Sequence, residues 1–254
     1  MDRTKRDIGA LALVLTASTA VLWLIGGLYV GFGLLNPLGA LLPDPAWSVL
    51  TSLGDSAVAL ALFLFFARGN LRFCAVILIA SLLGLLWTHG FKQGLPLPRP
   101  SGLLPEGSFY AVGELTQNRS FPSGHAQTAM TLAAVAALCV QGRVWPRVFL
   151  ALGLASAASR IFIGMHWPVD VLAGAAGGCV CVLIGVWLTD RMPNRAIRVC
   201  AWIVLPICVI AAVLVAAGHP ASYPAAQPWM RAAGIGALAV FLLPMLRDRL
   251  ARRI

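Results

Sequence analysis

Charge is what this chain has least of: 11% of its 254 residues are Asp, Glu, Lys or Arg, nine of the residues are acidic, and 59% are hydrophobic. A soluble domain of this size would have to hide more apolar surface than its interior holds, so that class is excluded. The six cysteines, Cys74, Cys139, Cys179, Cys181, Cys200 and Cys208, fall inside or at the ends of apolar stretches and imply no disulfide framework. Cys179 and Cys181 would point to two sides of a helix and make no metal pair. No group of His, Cys, Asp and Glu has zinc or magnesium spacing, so neither a metal nor another cofactor is implied. Internal repeats, low-complexity tracts and soluble insertions are also missing.

What the chain has instead is apolar runs. At about 17 to 25 residues each they are long enough to cross a hydrocarbon core of about 30 Å as helices. Eight are expected, near 8–33, 48–67, 72–91, 124–140, 146–163, 168–189, 199–217 and 229–246. The basic start, apolar run and small residues at 17–20 have the outline of a secretory signal. The run continues to Phe32, however, so an uncleaved first span is expected.

A net charge of +10 invites a nucleic-acid reading, but the basic residues are distributed by topology. Arg3, Lys5 and Arg6 precede the first span, and Arg68, Arg72, Arg143, Arg147, Arg191, Arg195, Arg198, Arg247, Arg249, Arg252 and Arg253 fill every second loop and the C-terminus. These are 14 of the 19 basic residues, and the positive-inside rule places them in the cytoplasm. No nucleic-acid partner follows. Trp47, Trp87, Trp167 and Trp229 near outer helix ends, with Trp145, Trp187 and Trp202 near inner ones, fit interfacial belts.

The basic residues left on the outer side are Lys92, Arg99, Arg119, Arg160 and Arg231, and three of them fall in polar clusters: Lys92 with Arg99-Pro100; Pro122-Ser123-Gly124-His125; Ser159-Arg160 with His166 and Asp170. The segment 92–123 holds Pro96, Pro98, Pro100 and Pro105 and cannot be a regular span. Its Glu106, Glu114 and Arg119 are read as solvated charges. All three clusters fall at outer helix ends. Ser123 and Gly124 open a helix, where free backbone N–H groups and the positive end of the dipole favour an anion. His166 and Asp170 are four apart at a helix start and can share a face, either as a capping pair or as an imidazole oriented by a carboxylate. Three cations for phosphate oxygens, one histidine to attack and another to protonate make a set suited to phosphoryl transfer. Asp55 and His89 are costly in lipid and are expected to face the bundle, with His89 one turn before Lys92.

The order and spacing of Lys92-x6-Arg99-Pro100, Pro122-Ser123-Gly124-His125 and Ser159-Arg160-x5-His166-x3-Asp170 resemble the three signatures of the type 2 phosphatidic acid phosphatase (PAP2) and vanadium haloperoxidase superfamily. The resemblance covers about 48–189. It implies an all-α, polytopic transmembrane bundle: a six-helix phosphatase core over 1–190, with a C-terminal helix pair over 191–254 beyond it. It also implies that Lys92, Arg99 and Arg160 bind phosphate assisted by Ser123 and Gly124. His125 would be the general acid and His166 the nucleophile, paired with Asp170. Integral membrane members remove phosphate from lipids, so the expected partners are a lipid phosphate substrate and membrane lipids. Undecaprenyl diphosphate is the first choice; phosphatidylglycerophosphate, phosphatidic acid and lipid A are alternatives, as is transfer to an acceptor lipid. A lipid transporter or flippase is the reading from a different class, though midplane sites and repeats are not seen. The expected setting is a bacterial inner membrane with the site facing the periplasm. Oligomeric state is left open.

Overall fold

The computed structural model describes residues 2–219 and 223–251 and is helical throughout, with no strand among the described residues. Ten α-helices follow in order: α1 (Asp2–Gly26), α2 (Phe32–Leu35), α3 (Asp44–Ser52), α4 (Ser56–Ala67), α5 (Leu71–Gly94), α6 (Gly124–Cys139), α7 (Val144–Phe162), α8 (Pro168–Thr189), α9 (Asn194–Ala217) and α10 (Gln227–Ala251). Short 3₁₀ turns occupy Asn36–Leu41, Pro100–Gly102 and Pro224–Ala226.

Two expected spans are differently built. The first ends at Gly26, because Gly27 and Gly31 take left-handed conformations (φ 70° and 81°) and Pro37 opens a 3₁₀ turn. The second is broken into α3 and α4, bent by 64°. Asp55 explains the break: its carboxylate caps α4, accepting from the backbone N–H of Ala57 (2.8 Å) and Val58 (3.1 Å). That cap, rather than a contact with the active-site clusters, satisfies the intramembrane acid.

Among the described residues five helices are long and apolar enough to cross a membrane, or six if the bent pair counts as one span, against the eight expected. The difference lies partly in α6, whose 16 residues span only about 24 Å. Most of its residues are buried, since it is sheathed by α4, α5, α7 and α8 and meets little lipid. Helix α8 is the other central element, packed on α1, α5, α6 and α7. Small residues permit the α6–α8 approach. A Cβ at Gly174 would collide with the Ser123 carbonyl and come within 3.2 Å of Ala126 Cβ; one at Gly178 would lie 2.5 Å from the Gln127 carbonyl.

Helices α4 and α5 barely touch, and α9 packs into the space between them, with α10 behind it on α4 and α9. The C-terminal pair is therefore built into the wall of the bundle. Ion pairs gather one end of the molecule: Lys5 with Asp190 (3.2 Å), Arg72 with Asp190, and Arg147 with Asp7 (3.8 Å). This is the arginine-rich end foreseen from the loops, although Arg252 and Arg253 lie outside the described residues. Trp145, Trp187 and Trp202 are exposed there, as an interfacial belt requires. Trp47 and Trp167 at the other end are core residues instead, buried and donating to the Gly39 carbonyl (2.7 Å) and the Pro98 carbonyl (2.8 Å). At that end the buried Asn36 amide donates to the Tyr110 carbonyl (2.9 Å) and the Ile161 carbonyl (3.0 Å) and accepts from the Tyr110 N–H (2.8 Å). It thereby fastens the segment after α1 to the long loop and to α7.

The close α6–α8 contact gives a test by thermal unfolding in detergent. Gly174→Ala should destabilise the protein by about 1–3 kcal/mol, the cost of overpacking. Gly90→Ala, on α5 with open space beyond its Cα, should be neutral or stabilising by up to about 1 kcal/mol.

Candidate active site

The end opposite the ion pairs brings together every residue of the three polar clusters. Asp170, in the first turn of α8 and fully buried, is the hub. Its Oδ2 accepts from the Trp167 backbone N–H (3.0 Å) and from the Ser120 hydroxyl, and lies 3.3 Å from His166 Nδ1. Its backbone carbonyl accepts from the Ser123 N–H at 2.9 Å, so the same residue also sets the start of α6. One carboxylate thus both caps α8 and faces the imidazole.

His166 sits in the short connection between α7 and α8, 1% exposed, with its backbone N–H donating to the Arg160 carbonyl at 3.1 Å. With Nδ1 facing Asp170, the proton belongs on Nδ1 and the lone pair on Nε2. Burial, then the charges of Arg99, Arg160 and Lys92, hold the imidazole well below its usual range. A neutral ring at neutral pH is the form that can act as a nucleophile.

Ser120 was not foreseen. It is fully buried, bonded to Asp170 and 3.4 Å from His166 Nδ1. The chain reaches it through Arg119, an exposed non-glycine residue in the left-handed region (φ 58°). Backbone bonds from Arg99 N–H to the Gln117 carbonyl (2.7 Å) and from Ser120 N–H to the Leu97 carbonyl (2.9 Å) fold the long loop back on itself. A serine within a Pro-rich loop carries no sequence signal for such a role.

The three cations surround this hub. Arg99, after the end of α5, donates from Nε to the Asn118 carbonyl (3.1 Å), and burial followed by the charge of Arg160 lowers its pKa to about 10. It stays protonated at neutral pH. Lys92, in the last turn of α5, places Nζ 3.8 Å from where a Gly124 Cβ would stand, over the first turn of α6. Arg160, 2% exposed near the end of α7, donates from Nη1 to Thr51 Oγ1 (2.9 Å) and to the Tyr223 hydroxyl (2.7 Å), two further residues not foreseen. Among the described residues none of the three cations forms an ion pair with an acid, and Arg160 Nε is buried without a partner. Arg160 in particular is buried positive charge without a counter-ion, a standing demand for an anion. Ser123 caps α6, its hydroxyl accepting from Ala126 N–H at 3.4 Å, so the Gly124 and His125 N–H groups remain at an anion-favouring helix start.

His125, half-buried in the first turn of α6, lies within electrostatic reach of the same cations. It also lines a cavity of about 460 Å³ that runs from Lys92 and Gly124 down α5 to Ile77, about 22 Å along the helix. The walls are α4, α5, α6 and α9, with Thr88, His89 and Thr128 near the top and mostly apolar residues below, Leu60, Leu78, Leu132, Val204 and Ile207 beside the hydroxyls of Ser81 and Thr131. His89 thus faces the cavity, but no hydrogen bond joins it to Lys92.

The PAP2 superfamily profile matches 69–193, the stretch holding all three clusters. "Putative undecaprenyl-diphosphatase YbjG" of Escherichia coli (strain K12) is 33% identical over 140 residues, 55% of this chain and 67% of that protein. Phosphatidylglycerophosphatase B of the same organism is 31% identical over 80 residues, 29% of this chain and 30% of that protein. The crystal structure of Aquifex aeolicus LpxE superposes with a TM-score of 0.53 at 28% identity, covering 61% of this chain and 92% of that one. The chain belongs to the PAP2 superfamily and is a lipid phosphatase of that family.

Proposed function

We propose that this protein removes a phosphate from a membrane lipid phosphate, with undecaprenyl diphosphate as first choice, at the periplasmic face of a bacterial inner membrane and without a metal. The observation that carries the reading is the set of three cations lacking acidic partners around the buried His166–Asp170 pair, one of which, Lys92, lines with His125 a cavity whose deeper walls are mostly apolar. A phosphate head would complete the charge while its hydrocarbon tail lies against Leu78, Leu132 and Ile207. The names of the relatives favour an isoprenoid diphosphate or a glycerolipid phosphate. The arginine-rich opposite end favours a periplasmic site.

In the proposed reaction His166 Nε2 attacks phosphorus and forms an N–P bond as the P–O bond to the lipid breaks. His125 gives its proton to the departing oxygen. Water then attacks the phosphohistidine, passing a proton to His125, and inorganic phosphate leaves. Asp170 and Ser120 keep the ring oriented, and Asp170 stabilises the positive charge the ring gains. Lys92, Arg99, Arg160 and the N–H groups opening α6 spread the charge on the non-bridging oxygens.

The two histidines separate by leaving group. His166→Ala should lose nearly all turnover on every substrate while still binding lipid phosphate through the cations. His125→Ala should cost about 10² to 10⁴ in rate on a lipid monophosphate, whose alkoxide leaves badly, and much less on an aryl phosphate with an acidic phenol. Equal losses on both substrates would return His125 to a binding role.

Phosphate release by purified enzyme, assayed over a panel of lipid phosphates in detergent, should persist in EDTA and be inhibited by vanadate. Loss of turnover in EDTA with recovery on adding a divalent metal would end the cation-pocket mechanism.

Sidedness is checked by labelling spheroplasts with a membrane-impermeant thiol reagent. Glu106→Cys, in the exposed long loop, should label, and Gln141→Cys, exposed between α6 and α7, should not. The opposite pattern places the site in the cytoplasm.

A further inference from the structure

The only two hydrogen bonds that the Arg160 guanidinium makes to other described residues go to Thr51 and Tyr223, and both partners lie outside the 69–193 superfamily match. We propose that Tyr223, in the connection between α9 and α10, is a positioning residue for phosphate binding, turning Arg160 so that its Nε and Nη2 edge meets the phosphate. The inference rests on reading Arg160 as a phosphate ligand, and it gives the C-terminal helix pair a part in the site.

A guanidinium is a planar fork of five N–H donors. Here Nη1 commits its two, at 2.9 Å to Thr51 Oγ1 and 2.7 Å to the Tyr223 hydroxyl, while Nε is buried with no partner. Two anchors on one terminal nitrogen fix the plane of the group. What stays available is the edge built from Nε and Nη2, whose parallel N–H bonds match two oxygens of a phosphate. The Tyr223 ring adds a cation–π contact, with its centroid 5.8 Å from Arg160 Cζ.

Tyr223 is itself firmly placed. It is 4% exposed, its carbonyl accepts from Ala226 N–H at 3.0 Å, and further along Trp229 Nε1 donates to Ser52 Oγ at 2.9 Å. The C-terminal unit therefore meets α3 and Arg160 through adjacent residues: Ser52 bonds Trp229, and Thr51 shares Arg160 with Tyr223. An arginine left loose would have to lose its side-chain freedom when phosphate arrives; one already held does not, and its affinity gains accordingly.

The test uses the full chain purified in detergent, with inorganic phosphate and orthovanadate as competitive probes. Tyr223→Phe keeps the ring and deletes the hydroxyl. Its inhibition constant for phosphate and its KM for lipid phosphate should both rise about tenfold, the size expected for a lost hydrogen bond to a charged group, with kcat changed far less. In an Arg160→Lys background, which keeps the charge but not the fork, Tyr223→Phe should add little. Because an inhibition constant reports folded enzyme only, a Tyr223→Phe variant with lower thermal stability and an unaltered constant would overturn the proposal. So would full additivity with Arg160→Lys. If Arg160→Lys itself leaves phosphate inhibition unaltered, it is the phosphate-ligand reading of Arg160 that fails. A weakened Arg160→Lys beside an unaltered Tyr223→Phe removes Tyr223 alone.

Discussion

The site end of this bundle is organised around one buried carboxylate. Asp170 Oδ2 faces a hydroxyl from the long loop, a backbone N–H at the start of its own helix and the imidazole of His166, while its carbonyl takes the N–H that opens α6. Two chain segments about 50 residues apart, 120–123 and 166–170, meet there. In an apolar interior each donor left without an acceptor costs about 1–3 kcal/mol, so the arrangement is strongly selected over its alternatives. Because α6 and α8 are joined at this point and pack closely through Gly174 and Gly178, the helix N-terminus that favours anions stands fixed relative to the imidazole.

Around that carboxylate the charge does not balance. Lys92, Arg99 and Arg160 converge on a region whose one nearby buried acid is already committed to His166, Ser120 and Trp167. Such an excess is tolerable only because an anion can supply what the protein withholds. Burial first, and these charges second, hold the His166 imidazole below its usual range. The cavity descending between α4, α5, α6 and α9 from Lys92 and His125 has mostly apolar walls further down, a division of polarity that suits an amphiphile held at the membrane surface.

The fold's departures from a plain bundle all occur where they serve that end of the molecule. The break between α3 and α4, capped by Asp55, brings Thr51 to Arg160, and a continuous helix would carry it elsewhere. The gap between α4 and α5 is taken by α9, which contributes Val204 and Ile207 to the cavity wall. Trp167, which could have served as an interfacial anchor, instead ties the long loop to the start of α8 through the Pro98 carbonyl.

By itself the sequence determined the helical class, and it marked the alternation of basic loops and the residues of the candidate site. Each of these is a local signal: a lipid interior accepts only internally bonded backbone, arginine placement records topology, and three short motifs keep fixed spacing within one or two turns of chain. Tertiary structure alone decided the rest. Asp55 read as a costly intramembrane charge until the helix break gave it two backbone N–H groups to cap. Helix α6 read as an ordinary span, though its 16 residues suffice because neighbours shield it from lipid. Ser120, Thr51 and Tyr223 carry no motif, since a hydroxyl acquires its role only from the charged group that long-range packing sets beside it: Asp170, 50 residues away, for Ser120, and Arg160, 109 and 63 residues away, for Thr51 and Tyr223.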